Sequence, residues 1–193
     1  MCIRDRYRVP VEGGNTEQVL GTPAEWVCFD KSGKNFLYQD RKGFEDEWRK
    51  HHTSSITRDI WLYDVSTGKH ANLTNREGED RNPVWATDGS SFYYLSEEKG
   101  SFNIFKNDLT GRNSRQITNH TMHPVRFLTS DNNGNLCYGY DGEIYTVKEG
   151  TQPKKVDVQI ISDKVENDLI HQLKASGATD IAVSPNGKEV AFI

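Results

Sequence analysis

The densest run of chemically capable side chains in this 193-residue chain lies between Gln39 and Asp59. It holds Arg41, Lys42, Glu45, Asp46, Glu47, Trp48, Arg49, Lys50, His51, His52 and Arg58. Paired histidines suggest a metal site. Neighbouring side chains on an extended backbone face opposite ways, however, so His51 and His52 cannot converge on one ion. There is no Gly-x-Ser-x-Gly elbow, no His-Glu-x-x-His and no phosphate-binding glycine loop, and no serine sits in a motif that would activate it. Asp131-Asn132-Asn133-Gly134 offers oxygen ligands, but with Gly134 as the sixth residue of a calcium loop the first would be Thr129 and the twelfth Tyr140, which do not fit. Asn72-Leu73-Thr74 and Asn119-His120-Thr121 match the glycosylation pattern, yet both coincide with repeated strand ends. Cys2, Cys28 and Cys137 are odd in number and lack a Cys-x-x-Cys pair; Cys28 and Cys137 read as small buried hydrophobes among apolar neighbours. The residues therefore point to binding and not to catalysis, with no catalytic residue, no metal and no cofactor.

The elements that must carry these residues are strands. Asn82-Pro83-Val84-Trp85-Ala86-Thr87-Asp88-Gly89-Ser90-Ser91-Phe92-Tyr93-Tyr94-Leu95 reads as strand, tight turn, strand, with Gly89 supplying the positive φ and Pro83 placed at the strand's entry because it cannot donate to a ladder. The pattern recurs around Gly33, Gly134 and Gly187, at spacings of 56, 45 and 53 residues. Each first hairpin is followed by a second: Ile60–Asp64 with Thr67-Gly68 and Asn72-Leu73-Thr74, Phe102–Phe105 with Thr110-Gly111 and Gln116-Ile117-Thr118, and Gly139–Val147 around Asp141-Gly142. Repeats of roughly 40–50 residues, each of four short strands, are the signature of β-propeller blades. The expectation is an all-β fold: a partial β-propeller of four-stranded antiparallel blades, about three of them plus the start of a fourth. The boundaries expected are an extraneous leader over 1–6, outer strands of a preceding blade over 7–22, blades over 23–75, 76–121 and 122–161, a connector over 162–176 and the first hairpin of the next blade over 177–193. The first blade carries an inserted segment, 39–59. It reads either as a solvated hairpin of mixed charge or as a functional loop projecting from one rim. Val165, Leu169, Ile170 and Leu173 suit a short helix capped by Asp163, or an irregular connector. A closed ring needs at least four blades, so the chain reads as part of a longer protein.

Composition agrees. The hydrophobic fraction is 34% and the mean hydropathy is −0.77, which suits thin meander sheets packed by aromatic side chains. Trp26, Trp61, Trp85, Tyr63, Phe92, Phe102, Phe105 and Tyr145 recur at matching positions and are expected to pack blade against blade. The formal net charge of −4 carries no basic excess for a nucleic-acid surface, and no run is long and apolar enough for a membrane span.

The Asp/Asn-Gly hairpin followed by a Leu-Thr or Ile-Thr closing strand resembles the TolB-type propeller repeat. Two stretches, Trp48-Arg49-Lys50-His51-His52-Thr53-Ser54-Ser55-Ile56-Thr57-Arg58-Asp59-Ile60-Trp61-Leu62-Tyr63-Asp64 and Glu79-Asp80-Arg81-Asn82-Pro83-Val84-Trp85, are similar to the N-terminal propeller of tricorn protease and its bacterial homologues. The resemblance implies a non-catalytic propeller of a serine peptidase that gates or guides peptide substrates towards PDZ-like and catalytic domains downstream in the same chain, with homo-oligomeric assembly. On that basis Arg49, His51, His52 and Arg58 are the substrate-contact candidates. Bacterial members of the family are often exported, which favours the periplasm or cell envelope over the cytoplasm. The alternatives left open are a TolB-like periplasmic interaction propeller and the propeller of a prolyl-oligopeptidase-like enzyme.

Overall fold

The computed structural model describes residues 5–44, 46, 48–49, 51, 53–161, 176–177 and 179–192. The residues given to the short helix, from Asp163 to Leu173, lie outside this set, as do His52 and Cys2. The described residues form two units, 1–157 and 158–193. The second shows one antiparallel hairpin, in which Ile181–Val183 pairs with Val190–Phe192 across a turn at Gly187 (φ 68°).

In the first unit, β1 (Arg6–Arg8) pairs with β2 (Glu17–Leu20). Strand β1 thus begins at Arg6, one residue inside the stretch read as a leader. Three four-stranded sheets follow: β3 (Ala24–Phe29), β4 (Asn35–Asp40), β5 (Ile60–Asp64) and β6 (Lys69–Asn72); β7 (Asp80–Trp85), β8 (Ser91–Ser96), β9 (Asn103–Asp108) and β10 (Arg115–Gln116); β11 (Arg126–Ser130), β12 (Asn135–Tyr140), β13 (Glu143–Lys148) and β14 (Lys154–Lys155). In each, neighbours in sequence are neighbours in the sheet. The first strands β3, β7 and β11 approach one another, so they are the inner strands and the last strands are peripheral. This is the blade arrangement of a partial β-propeller, as the repeats imply. Within 152–161, β14 covers only Lys154–Lys155, and Val156 adds one backbone bond, to Ile144 O at 2.8 Å.

The buried runs follow from sheets that are covered on both faces. Phe92 and Tyr94 face the first sheet, packing with Leu37, Ile60 and Leu73. Tyr93 and Leu95 face the third, packing with Leu128, Leu136 and Tyr138. Period-two alternation sends successive side chains to opposite faces, so a middle strand with a sheet on each side must be apolar throughout. Leu20 closes the outer face of the first sheet against Phe36 and Tyr38. The Leu-Thr and Ile-Thr strand ends have a local purpose. The Ile60 N–H donates to Thr74 Oγ1 and the Ile104 N–H to Thr118 Oγ1, both at 2.9 Å, which completes the ladder where backbone partners run out.

Each inner strand carries the same defect. Between Glu25 and Cys28, Arg81 and Val84, and Arg126 and Thr129, the register slips by one residue. In each bulge one residue adopts positive φ: Trp26 (52°), Asn82 (52°) and Phe127 (57°). Pro83 therefore lies inside β7 and not at its entry. The bulge leaves a position without a ladder bond, which a proline tolerates.

A rim site under the inserted segment

The inserted segment leaves β4 at Asp40 and returns to β5 at Ile60. Its root is tightly tied. The Asp40 N–H donates to Asp59 O (3.1 Å) and the Asp59 N–H to Asp40 Oδ1 (2.8 Å). Lys42 Nζ donates to Thr57 O and Asp59 Oδ2, both at 2.8 Å. Gly43 faces Ile56 so closely that a Cβ there would lie 3.1 Å from Ile56 Cγ2, which makes the two limbs of the insertion close neighbours.

From this root the segment reaches two other blades. The His51 N–H donates to Glu97 Oε2 of the second sheet's rim at 2.8 Å. The Trp48 ring lies under the guanidinium of Arg126 (4.9 Å) and edge-on to Phe127 (6.1 Å) in the third sheet. The contact pattern spans three blades, beyond what a hairpin solvated on its own would make.

Beneath it runs a chain of buried charge. Glu25 accepts from Arg41 and, at 3.3 Å, from Gln39 Nε2; Arg58 Nε stands 3.5 Å from Glu25 Oε2. Glu79 accepts from Arg58 and, at 2.7 Å, from Arg81 Nε. Gln39 in turn accepts from the Asn82 N–H at 2.9 Å, across the gap between the first two blades. Burial raises the Glu25 carboxyl, but Arg41 and Arg58 outweigh it and hold the group below the usual carboxylate range. Asp80, next to Glu79 and fully buried against Arg76, goes the other way: burial dominates and pushes it up to about 6. A cavity of about 50 Å³ lies between Glu25, Gln39, Arg58, Arg81, Asn82 and Arg126, with Trp26, Trp48 and Phe127 around it.

The four candidate residues part company here. Arg49 and His51 are exposed, the latter with φ 53°; His52 lies outside the described residues. Arg58 is buried in the Glu25–Glu79 network, so its guanidinium braces the root of the insertion. Glu25, Glu79, Asn82, Arg126 and Phe127 were not singled out from sequence as site residues. A signal for three positions existed, because Glu25, Arg81 and Arg126 occupy the same place in successive repeats, one residue before the positive-φ position. Trp26 departs from its expected packing role: the bulge turns it outward, and it is 49% exposed. Cys28 and Cys137 are free thiols and only half-buried. Among the described residues no group of histidine, cysteine or carboxylate side chains could hold a metal, and no helix is long and apolar enough to cross a membrane. The carboxylates of the site hold arginines, and the arrangement is suited to positioning and binding.

Residues 3–153 match the family model described as the tricorn protease N-terminal β-propeller domain. Atu1656 of Agrobacterium fabrum is 23% identical over 97% of this chain, which spans 60% of that protein. Tricorn protease of Thermoplasma acidophilum is 25% identical over 97% of this chain, which spans 17% of that protein. The crystal structure of TolB from Acinetobacter baumannii superposes with a TM-score of 0.62 at 17% identity, over 95% of this chain and 41% of that one. With the repeated four-stranded sheets and a family match over most of its length, the chain belongs to the tricorn protease N-terminal β-propeller family.

Proposed function

We propose that this chain is the non-catalytic propeller segment of a larger tricorn-like serine peptidase, and that the inserted segment gates or guides peptide substrates on their way to a catalytic core elsewhere in that protein. The observation that carries this reading is the reach of the insertion: rooted in the first blade, it places Trp48 beside the inner-strand bulge residues Trp26, Asn82 and Phe127 and on Arg126 of the third. A segment so placed restricts access to one end of the inner strands. Arg49 and His51 stand on its exposed side as the peptide contacts, while Arg58 supports the segment from its root; His52, outside the described residues, is a contact candidate by its sequence alone. In a peptidase containing this propeller, Phe44–Ser55 would be replaced by Gly-Ser-Gly, which the closeness of Gly43 and Ile56 permits. The ratio of long-peptide to short-peptide cleavage is expected to rise severalfold. An unchanged ratio would refute the gating role.

A second reading has its own support. The chain spans 60% of Atu1656, so the remaining 40% of a protein of that extent suits further blades better than a peptidase core. On this reading the propeller is a TolB-like interaction module, and its parent would have no peptidase activity on any peptide length.

A further inference from the structure

Where the insertion meets the third sheet there is a second, larger depression, of about 550 Å³, a size that suits a small ligand. Trp48, Pro124, Phe127 and Ile144 line it, and the exposed Asp141 and Glu143 stand at its lip. The bulge in β11 turns the Phe127 ring outward (φ 57°). The ring lies on the bare backbone of Gly139, where a Cβ would stand only 3.3 Å from Phe127 Cδ2. Trp48 meets the same ring edge-on. Trp48, Phe127 and Ile144 are thus gathered at one place while about half of each stays exposed. Of the charged groups around them, Glu143 is paired with Lys155 at 2.7 Å, and the Arg126 guanidinium reaches over the Trp48 and Phe102 rings toward the second sheet. Among the described residues the Asp141 carboxylate has His123 as its one side-chain partner, Oδ1 to Nε2 at 3.3 Å. A neutral imidazole leaves that negative charge uncompensated. The two-residue turn between paired Tyr140 and Glu143 fixes Asp141 in place, at φ 51°.

We propose that this depression binds the amino-terminal residue of a peptide when that residue is aromatic, with its ring among Trp48, Phe127 and Ile144 and its ammonium on the Asp141 carboxylate. An apolar surface with one fixed anion at its edge matches an apolar body that carries a cationic head. An aromatic residue at a free amino terminus supplies both, the ring by offset or edge-on packing and the head by a charge-assisted hydrogen bond. That the ligand is a peptide rests on the guiding role proposed above, and the site adds to that role a preference for one end of the substrate.

The test is calorimetric titration of the 193-residue chain with Phe-Gly-Gly amide, its N-acetylated form and Ala-Gly-Gly amide. The free Phe peptide is expected to bind saturably at one site. Acetylation, which removes the charge, and alanine in place of phenylalanine should each weaken binding about tenfold or more. Asp141→Asn accepts the left-handed turn and should bring the free Phe peptide down to the affinity of the acetylated one, which itself stays unchanged. Phe127→Gly also accepts its backbone and should weaken both Phe peptides. No saturable binding, equal binding of the free and acetylated peptides, or wild-type behaviour of Asp141→Asn overturns the proposal. So does binding by this chain that is lost in a peptidase containing the propeller, because another part of that protein then fills the depression. Binding together with an unchanged cleavage ratio refutes the gating role and leaves this site standing; a changed ratio without binding refutes this site alone.

Discussion

At the scale of single residues, the aspartates that open the hairpin turns set the acid response of the molecule. Asp88 accepts from the Ser90 and Ser91 N–H groups at 2.8 and 2.9 Å and from Ser91 Oγ at 2.6 Å. Burial is the largest single influence and raises its carboxyl, but these hydrogen bonds, with the nearby charge of Lys106, together outweigh it and hold the group at about 2. Asp108 is held at about 2 by its bonds from Thr110 and Asn113. A carboxyl depressed in the folded state stabilises it above the unfolded value, and that stability is lost as pH falls towards the folded one. Urea midpoints should therefore drop as pH goes from about 4 to about 2, and Asp88→Asn should flatten that drop while costing about 1 kcal/mol at neutral pH. Asp80 contributes with the opposite sign. Raised to about 6, it binds its proton more tightly in the folded state, so it adds stability as pH falls from about 6 to about 4. A midpoint that fell uniformly from pH 7 to 2 would contradict this pair of assignments.

At the scale of elements, the closing threonine and the turn glycines carry the repeat. Thr118 is buried; it accepts from the Ile104 N–H and donates to Asn103 Oδ1, each at 2.9 Å. Thr118→Val keeps the shape but strands a buried N–H, and should lower unfolding free energy by about 1–3 kcal/mol in chemical denaturation. Loss of less than a few tenths would show that the ladder end closes without the hydroxyl. Two glycines distinguish local from tertiary demands. Gly89 (φ 66°) has open space where a Cβ would go, so Gly89→Ala should cost only the backbone penalty, about 1 kcal/mol. Gly111 (φ 73°) would place a Cβ 2.6 Å from Leu73 O in the neighbouring blade. Gly111→Ala must also push two sheets apart, and its melting temperature should fall clearly below that of Gly89→Ala.

At the scale of the first unit, neighbouring blades are joined by polar clasps as well as by the aromatic core. Trp85 Nε1 donates to Cys28 O at 2.8 Å between the first and second sheets. Glu149 of the third sheet accepts from Tyr93 Oη (2.8 Å) and Lys106 Nζ (3.0 Å) and pairs with Arg115, all in the second. The insertion is a third kind of join, made only at the rim. Replacing Phe44–Ser55 by Gly-Ser-Gly leaves every one of these clasps and the buried root in place. Circular dichroism and the unfolding midpoint should then stay close to wild type, even where peptide selectivity changes. Collapse of the fold on that replacement would mean that the insertion is a structural strut.

The four-strand repeat and the glycine turns were legible in the sequence, because strand period and turn chemistry are local properties. The Asp141-Gly142 hairpin shows this best: both residues adopt positive φ (51° and 75°), as a two-residue turn between paired Tyr140 and Glu143 requires. Of the candidate site, only the charged insertion was visible. That Arg58 turns inward to Glu25 and Glu79, that Trp26 turns outward, that Pro83 sits in a bulge, and that Trp48 meets Arg126 were decided by tertiary structure. Each depends on residues brought together from different blades, and a local pattern carries no record of which distant side chain will satisfy a buried charge or an inner-strand bulge.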